Sequence, residues 1–334
     1  MAVSIRDVAE KASLSCETIL EGLISPSTLD PEVVRFIMKT IRETGYLETF
    51  MRWKTGRYTP SVGVITSFVD SPSGHEVFKG IDRAMSALGL NTAMLSFPTR
   101  SSPQYRNDLL DNLLYFNLIH AVITMHFIPK PETVKRYRNG GKPLVLMEAA
   151  SEGAQSIFLD NPKGVSIGMN YLYNKGYKRI GLLNGISSGK NISFIAAERL
   201  MGYVQSLDRL GIPFDESLIF ETASFDMDGG MKGFEYFASQ PDLPDAVFCA
   251  SGDMTAIGFM RAAKASGIRV PEDIAIMGYD DITVAGLVDP PLTTIRQRLM
   301  IAGAAALVTA LEAVVNGPGS DFFIMPELVI RETA

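Results

Sequence analysis

The segment GISSG at residues 185–189 has the Gly-x-Ser-x-Gly spacing of a nucleophile elbow and follows a strand-like run, RIGLLNG (179–185). Hydrolases of that class carry their histidine after the serine in the chain. His75, His120 and His126 all precede Ser187, so the elbow has no base of that kind. Extended to NGISSGK, the loop approaches a phosphate loop, yet Asn184 stands where the first glycine belongs and Asn191 where a hydroxyl would hold magnesium. His120 and His126 lie six residues apart across a strand and its exit, with no carboxylate cluster, which is no metal site. The chain is expected to be no enzyme and to need no metal or other cofactor. Arg199 and Asp280 offer a different chemistry. A planar fork of donors and a carboxylate acceptor suit a hydroxyl-rich small molecule. The alternative is an Arg–Asp pair that braces the fold without ligand.

Such groups need a frame that brings them together. Short apolar runs occur at VGVIT (62–66), TAMLSF (92–97), HAVITM (120–125), KPLVLM (142–147), RIGLLNG (179–185), SLIFE (217–221), DAVFCA (245–250) and DIAIMGYD (273–280). Helical spacing follows or separates them over 76–88, 103–116, 131–138, 163–174, 194–209, 229–238, 254–265 and 297–315, and a last strand falls near 323–330. Strand and helix in alternation mean parallel strands joined by helical crossovers. This predicts an α/β fold of two doubly wound lobes, with ligand beyond the carboxyl ends of the strands, in the cleft between the lobes.

Residues 4–44 have a different texture, that of three short helices. Ile5, Val8, Ala9 and Ala12 space one apolar face, Leu14, Ile19 and Leu23 a second, and Val33, Ile37 and Ile41 a third. Ser15 caps the second helix, Asp30-Pro31-Glu32 starts the third and Gly45 ends it. A short helix, a tight turn and a second helix form a helix-turn-helix, whose second helix reads DNA in the major groove. The expected division is a head over 1–46, a hinge or linker over 47–60, helical at most over its first half, and a two-lobed effector and dimerisation domain over 61–334.

Composition sets limits on partners. In 334 residues, 46% are hydrophobic and 20% charged, which fits a globular chain with a sizeable core. The net charge of −6 gives no global basic signature, so any DNA contact must be local or pooled by a dimer. Two cysteines, Cys16 and Cys249, form no disulfide framework and suit a reducing cytoplasm. The polar start MAVSIRDVAEK is no secretory signal, and the apolar run 299–315 is broken by Thr309 and Glu312. That run is expected to be a packed helix, so no membrane is expected.

In the order of its blocks the chain closely resembles the lactose-repressor (LacI/GalR-type) family of bacterial transcription regulators over nearly every residue. The resemblance is carried by IRDVAEKASLS, RETGY (42–46), FLDNPKG (158–164), YLYNKGYKRIG (171–181), ERLMGY (198–203), VPEDIAIMGYDD (270–281) and PPLTTIRQ (290–297). It implies a homodimer that binds a near-palindromic double-stranded DNA operator, with a small effector, commonly a sugar or sugar derivative, in the cleft. Arg199 and Asp280 match family positions that hydrogen-bond effector, and Phe225, five residues before Gly230, matches a ring-stacking aromatic. For Phe225 an ordinary core phenylalanine is the competing reading. Asp160 resembles a position near the cleft, Ser187, Ser188 and Ser193 are weaker candidates, and Asp253 fits a helix N-cap better than a ligand contact. Asn-Pro-aromatic-aromatic of the family is SPSG (71–74) here, and its Asn-Asp is Gly252-Asp253, so no particular sugar or purine carries over. MPELVIRETA carries no leucine heptad of the kind that would build a coiled-coil tetramer.

The head departs more sharply. Residues 1–60 hold eight basic and eight acidic residues, so the head is neutral. LSCETILEGLIS (14–25) has no lysine or arginine, and Glu17 and Glu21 lie on one face. The family usually has arginine at Glu21 and serine at Leu20, while Cys16 and Glu17 occupy base-reading positions. Glu17 can accept from cytosine N4. Alternatively the carboxylates weaken or abolish operator binding, since phosphate contacts dominate affinity. Thr18 still suits a phosphate. The hinge lacks the family's Pro-Asn and its wedge leucine, leaving Met51 or Trp53 as an apolar wedge, or Trp53 as a packing residue. The alternative function is a cytosolic sensor of the same fold that has lost operator reading and acts through a protein partner.

Overall fold

The computed structural model describes residues 2–50, 60–66, 71–90, 93–98, 103–188 and 193–334. The chain divides into two compact units, Met1–Phe158 with Leu299–Ile324, and Leu159–Arg298 with Met325–Ala334. Each unit holds one six-stranded sheet.

The first unit begins with three helices, α1 (Ile5–Ala12), α2 (Cys16–Ile24) and α3 (Pro31–Thr44). Ser4 and Asp7 form a reciprocal capping box that starts α1, and Ser13, at φ 54°, turns the chain into α2. Ser15 Oγ accepts the Thr18 N–H at 3.1 Å and so caps α2. Asp30 caps α3, with Pro31 at its first position, and Gly45 ends it at φ 71°, where a side chain would be strained. Residues Tyr46–Phe50 form a 3₁₀ turn whose Tyr46, Thr49 and Phe50 are buried in the same unit.

After this head come β1 (Ser61–Thr66), α4 (Pro72–Ala87), β2 (Ala93–Pro98), α5 (Pro103–Leu114), β3 (Ala121–Met125), α6 (Pro131–Asn139), β4 (Leu144–Met147) and β5 (Gln155–Leu159). The second unit runs α7 (Asn161–Asn174), β6 (Ile180–Gly185), α8 (Phe194–Leu210), β7 (Ile219–Thr222), α9 (Met227–Ala238), β8 (Ala246–Cys249), α10 (Asp253–Ala265), β9 (Ala275–Asp280) and β10 (Thr293–Arg296). The chain ends with α11 (Leu299–Asn316), β11 (Phe322–Ile324) and β12 (Glu327–Val329).

The sheet orders are β2-β1-β3-β4-β5-β11 and β7-β6-β8-β9-β10-β12, the same winding twice. Neighbouring strands from β2 through β5 and from β7 through β10 are parallel, and β12 returns antiparallel to β10. In the second unit Leu182, Phe248 and Met277 point to Val165, Met169 and Tyr203, while Leu183, Val247 and Ile276 point to Phe234, Phe237 and Phe259. Both sheet faces are therefore covered, which is why the strands read as continuous apolar runs. Two strands depart from the sequence expectation: β5 and β10 lie in segments without an apolar run. The single final strand expected near 323–330 is two, β11 in the first sheet and β12 in the second.

By length and composition α11 could cross a membrane, but 72% of it is buried inside the protein. It lies against α4 at backbone contact. A Cβ on Gly80 would stand 1.9 Å from the Met300 carbonyl oxygen, and one on Gly303 would stand 2.0 Å from that of Val77.

Candidate functional site

In each sheet the strand order reverses once, between β1 and β3 and between β6 and β8, and a doubly wound sheet opens a crevice at that point. Arg199, on α8 after β6, lies at this place in the second unit. Its side chain is 7% exposed. Its Nε donates to Asn161 Oδ1 at 2.9 Å, its Nη1 to the Ala250 carbonyl just past β8, and its guanidinium lies 4.0 Å from the Tyr279 ring centre. Asn161 in turn donates through Nδ2 to Glu198 Oε2 at 3.0 Å. Asp280 closes β9 with φ 108°, a left-handed conformation unusual for a side-chain-bearing residue, and accepts from Gln297 Nε2. Beside it Asp281 is gripped by Arg296 and Arg331, each at 2.7 Å.

The arginine is thus held by an amide, a carbonyl and a ring rather than by Asp280. Arg199→Met would remove the guanidinium's hydrogen bonds to Asn161 Oδ1 and to the Ala250 carbonyl. Urea unfolding should show a loss of about 2–4 kcal/mol. Arg199→Lys should fall between, because an ammonium cannot span both acceptors. A Met variant within about 0.5 kcal/mol of the parent would mean that the fork contributes nothing.

The other candidates occupy mixed positions. Phe225, in the loop before α9, is 41% exposed, and its ring lies against the end of β6, where a Gly185 Cβ would meet it at 2.9 Å. It is a surface ring at the strand ends, which removes the ordinary-core reading. Ser193 caps α8, accepting Ala196 N–H, and Asp160 caps α7, accepting Lys163 N–H at 3.0 Å. Asp160 also lines an open groove of about 480 Å³ with Lys163, Asp208 and Arg209, on the helix layer of the second unit. Ser187 bonds Glu221 through both its amide and its hydroxyl.

Asp253 is not the N-cap expected of it. Gly252 occupies that place, and the Asp253 carboxylate accepts Ile282 N–H at 2.8 Å and the Thr294 hydroxyl at 2.6 Å. Burial, with the charge of Asp280 behind it, pushes this carboxyl well above the usual range. It ties the start of α10 to β10 and to the loop after β9.

Sequence reasoning passed over part of the polar surface. Asn161 lies in the quoted block FLDNPKG and Glu198 adjoins Arg199, but neither was singled out. In the first unit His126 and Glu148 leave β3 and β4 with φ 54° and 53°, and His126 Nδ1 lies 2.9 Å from Glu148 Oε2. Two residues of left-handed conformation thus stand side by side at the carboxyl ends of parallel strands. The sequence weighs His126 as a hydrolase base and as a metal ligand, and points to no pairing with Glu148.

On the head, Ser15 and Thr18 share a hydroxyl contact of 2.9 Å, and Glu21 accepts the Thr28 hydroxyl at 2.8 Å. Cys16, Glu17, Thr18 and Glu21 are half-buried. Burial pushes the Cys16 thiol up, against the opposing charge of Arg6. Met51 and Trp53 lie outside the described residues.

Residues 169–334 match the family described as periplasmic binding protein-like domain. Along its length the chain is 30% identical to the HTH-type transcriptional repressor CytR of Escherichia coli (strain K12), over 99% of this chain and 96% of that protein. The chain belongs to the LacI/GalR family of transcription regulators. The ribose operon repressor of Haemophilus influenzae is 27% identical to this LacI/GalR chain over 99% of it and 98% of the repressor. The crystal structure of a LacI family transcriptional regulator from Lactobacillus casei with bound sucrose is similar with a TM-score of 0.71 and 25% identity, over 83% of this chain and 100% of that one. These relatives support the role of a repressor for this LacI/GalR protein.

Proposed function

We propose that this protein is a ligand-responsive repressor that binds a near-palindromic operator as a homodimer in the cytoplasm. Residues 1–46 form the DNA-binding head, 47–60 the hinge, and 61–334 the effector-binding and dimerisation domain. Ser15, Cys16, Glu17, Thr18 and Glu21, with Met51 and Trp53 of the hinge, are the DNA-facing candidates. Arg199, Asp280, Phe225, Asp160 and Ser193 are the effector candidates, and the effector is a small polyhydroxy compound of the sugar type. The observation that carries this reading is the joining, in one chain, of an N-capped two-helix head to a sheet with a buried arginine fork at its switch point. A fork and a carboxylate at that place suit vicinal hydroxyls.

The test is selection of random-sequence duplexes by the purified protein, followed by affinity across a salt series. A recovered palindrome whose affinity falls steeply with salt is the expected result. If no sequence is enriched and nothing binds even at low salt, either by the wild-type chain or by its Glu312→Lys and Arg83→Glu variants, the operator-reading part is wrong and the sensor reading takes its place.

A further inference from the structure

Part of the face of α2 that would meet DNA is already covered by protein. Two stripes run along this helix. Ile19 and Gly22 turn towards α3, where a Cβ on Gly22 would stand 2.7 Å from Ile37 Cδ1. Cys16, Leu20 and Ile24 recur every four residues and form the second stripe. Leu20 is 0% and Ile24 6% exposed. Besides α1, α3 and the turn that follows it, α2 packs on α4 and α11 of the same unit. A surface that reads bases and phosphates must be polar and open to water. This stripe is apolar and shut.

Polar ties surround the apolar contact and come from both sides. The Ile5 amide donates to Glu312 Oε1 at 2.6 Å, and the Tyr46 hydroxyl donates to the same oxygen at 2.9 Å. Ala2 and Asn316 exchange two hydrogen bonds of 3.0 Å. Arg6 donates to the Ser320 and Asp321 carbonyls and lies over the Phe322 ring. Arg83 of α4 donates to Ser25 Oγ at 2.9 Å and to the Ile24 carbonyl at the end of α2. The ties use donors and acceptors of both the head and the lobe, so the head is bound in one orientation.

We propose that the surface of the first unit formed by α4 and the last turns of α11 is a docking site for the chain's own reading helix, and that the docked head is closed to DNA. Leu20 and Ile24 then serve the docked state, and the absence of basic residues on α2 keeps the helix compatible with the lobe. DNA and the lobe compete for one face. The DNA half of this statement rests on the repressor reading, whereas the docking half stands without it.

The test uses the full chain and lobe-side substitutions, Glu312→Lys and, independently, Arg83→Glu. Lysine in the last turns of α11 suits the helix carboxyl end, so the lobe should keep its thermal transition. The readouts are the rate at which a maleimide labels Cys16 and the amide exchange of residues 17–25. Cys249, fully buried, stays silent in the labelling. Each variant should label at least about tenfold faster and lose protection along α2, as an opened segment does. Its affinity for a random duplex at low salt should rise by about the same factor.

Wild-type labelling at the rate of a free thiol, or variants that leave labelling and exchange unchanged, would overturn the docking. Faster labelling with no gain in DNA affinity would overturn the masking. A wild-type chain that enriches no sequence beside a variant that enriches a palindrome would confirm the mask and leave the repressor reading intact. If neither enriches any sequence, the repressor reading fails, and labelling alone decides the docking.

Discussion

Gly303→Val is expected to remove most of the soluble protein, and Gly303→Ala to lower the urea-unfolding free energy by about 3 kcal/mol or more. The reason is geometric. At 2.0 Å from the Val77 carbonyl oxygen, a Cβ would overlap backbone, which cannot swing aside as a side-chain tip can. Gly80 faces Met300 in the same way, so the two helices hold each other at backbone distance from both sides. Either substitution must push α4 from α11 and open the apolar interface along their length. Gly317→Ala is the comparison. Its φ of 80° strains a side chain, but no atom stands within 4 Å of the added Cβ, so its cost should stay near 1 kcal/mol. Equal losses at Gly303 and Gly317 would show that the close crossing is dispensable.

The two lobes were legible because parallel strands covered on both faces must be apolar along their whole length. The strands that escaped are polar for stated reasons. In TTIR the Thr294 hydroxyl is buried as a donor to Asp253, and the Thr293 amide donates to Thr333. In QSIFL, Gln155 and Ser156 begin the strand next to the edge strand β11, where the Ser156 amide donates to Asp321. Hydrogen bonds to residues 40 and 165 positions away cannot be seen in a local window. The last strand divides because its two halves serve different sheets, and nothing in the spacing of FFIMPELVI announces that exchange.

The site was legible in part for the same reason. Arg199 and Asp280 stood out by residue type and by resemblance, while Asn161 and Tyr279, which hold the arginine in place, look like ordinary polar and aromatic residues until the fold joins them. His126 and Glu148 are 22 residues apart on neighbouring strand exits, and only the parallel register brings them together. The head left one clue in the sequence. Leu20, where the resemblance leads one to expect serine, is an apolar residue on a face that should be wet. Glu312, a charge in an apolar helix, was the other half of that clue, 307 residues from the amide it accepts.

Raising the pH from 5.5 to 8 should loosen the docked head. Glu312 faces the Ile5 amide, the Tyr46 hydroxyl, Asp7, Arg6 and Cys16, and burial pushes its carboxyl from an ordinary 4.5 up to about 7. The two donors and Arg6 oppose that rise, and Asp7 adds to it. The docked state therefore binds a proton that the released state, with Glu312 in water, gives up. Docking gains from this group in full below about 4.5 and loses the gain as pH rises through about 7. The separation of the two values corresponds to about 3 kcal/mol over the whole titration, and between pH 5.5 and 8 it changes the docked-to-released ratio by about thirtyfold. Amide exchange of residues 17–25, corrected for the intrinsic pH dependence, should show protection falling across this interval. Glu312→Gln keeps an acceptor for both donors and has nothing to titrate, so its protection should be high and flat. Wild-type protection that is flat, or that grows towards pH 8, would mean that Glu312 does not govern the docking. A slope that survives in the glutamine variant would place the titrating group elsewhere in the interface.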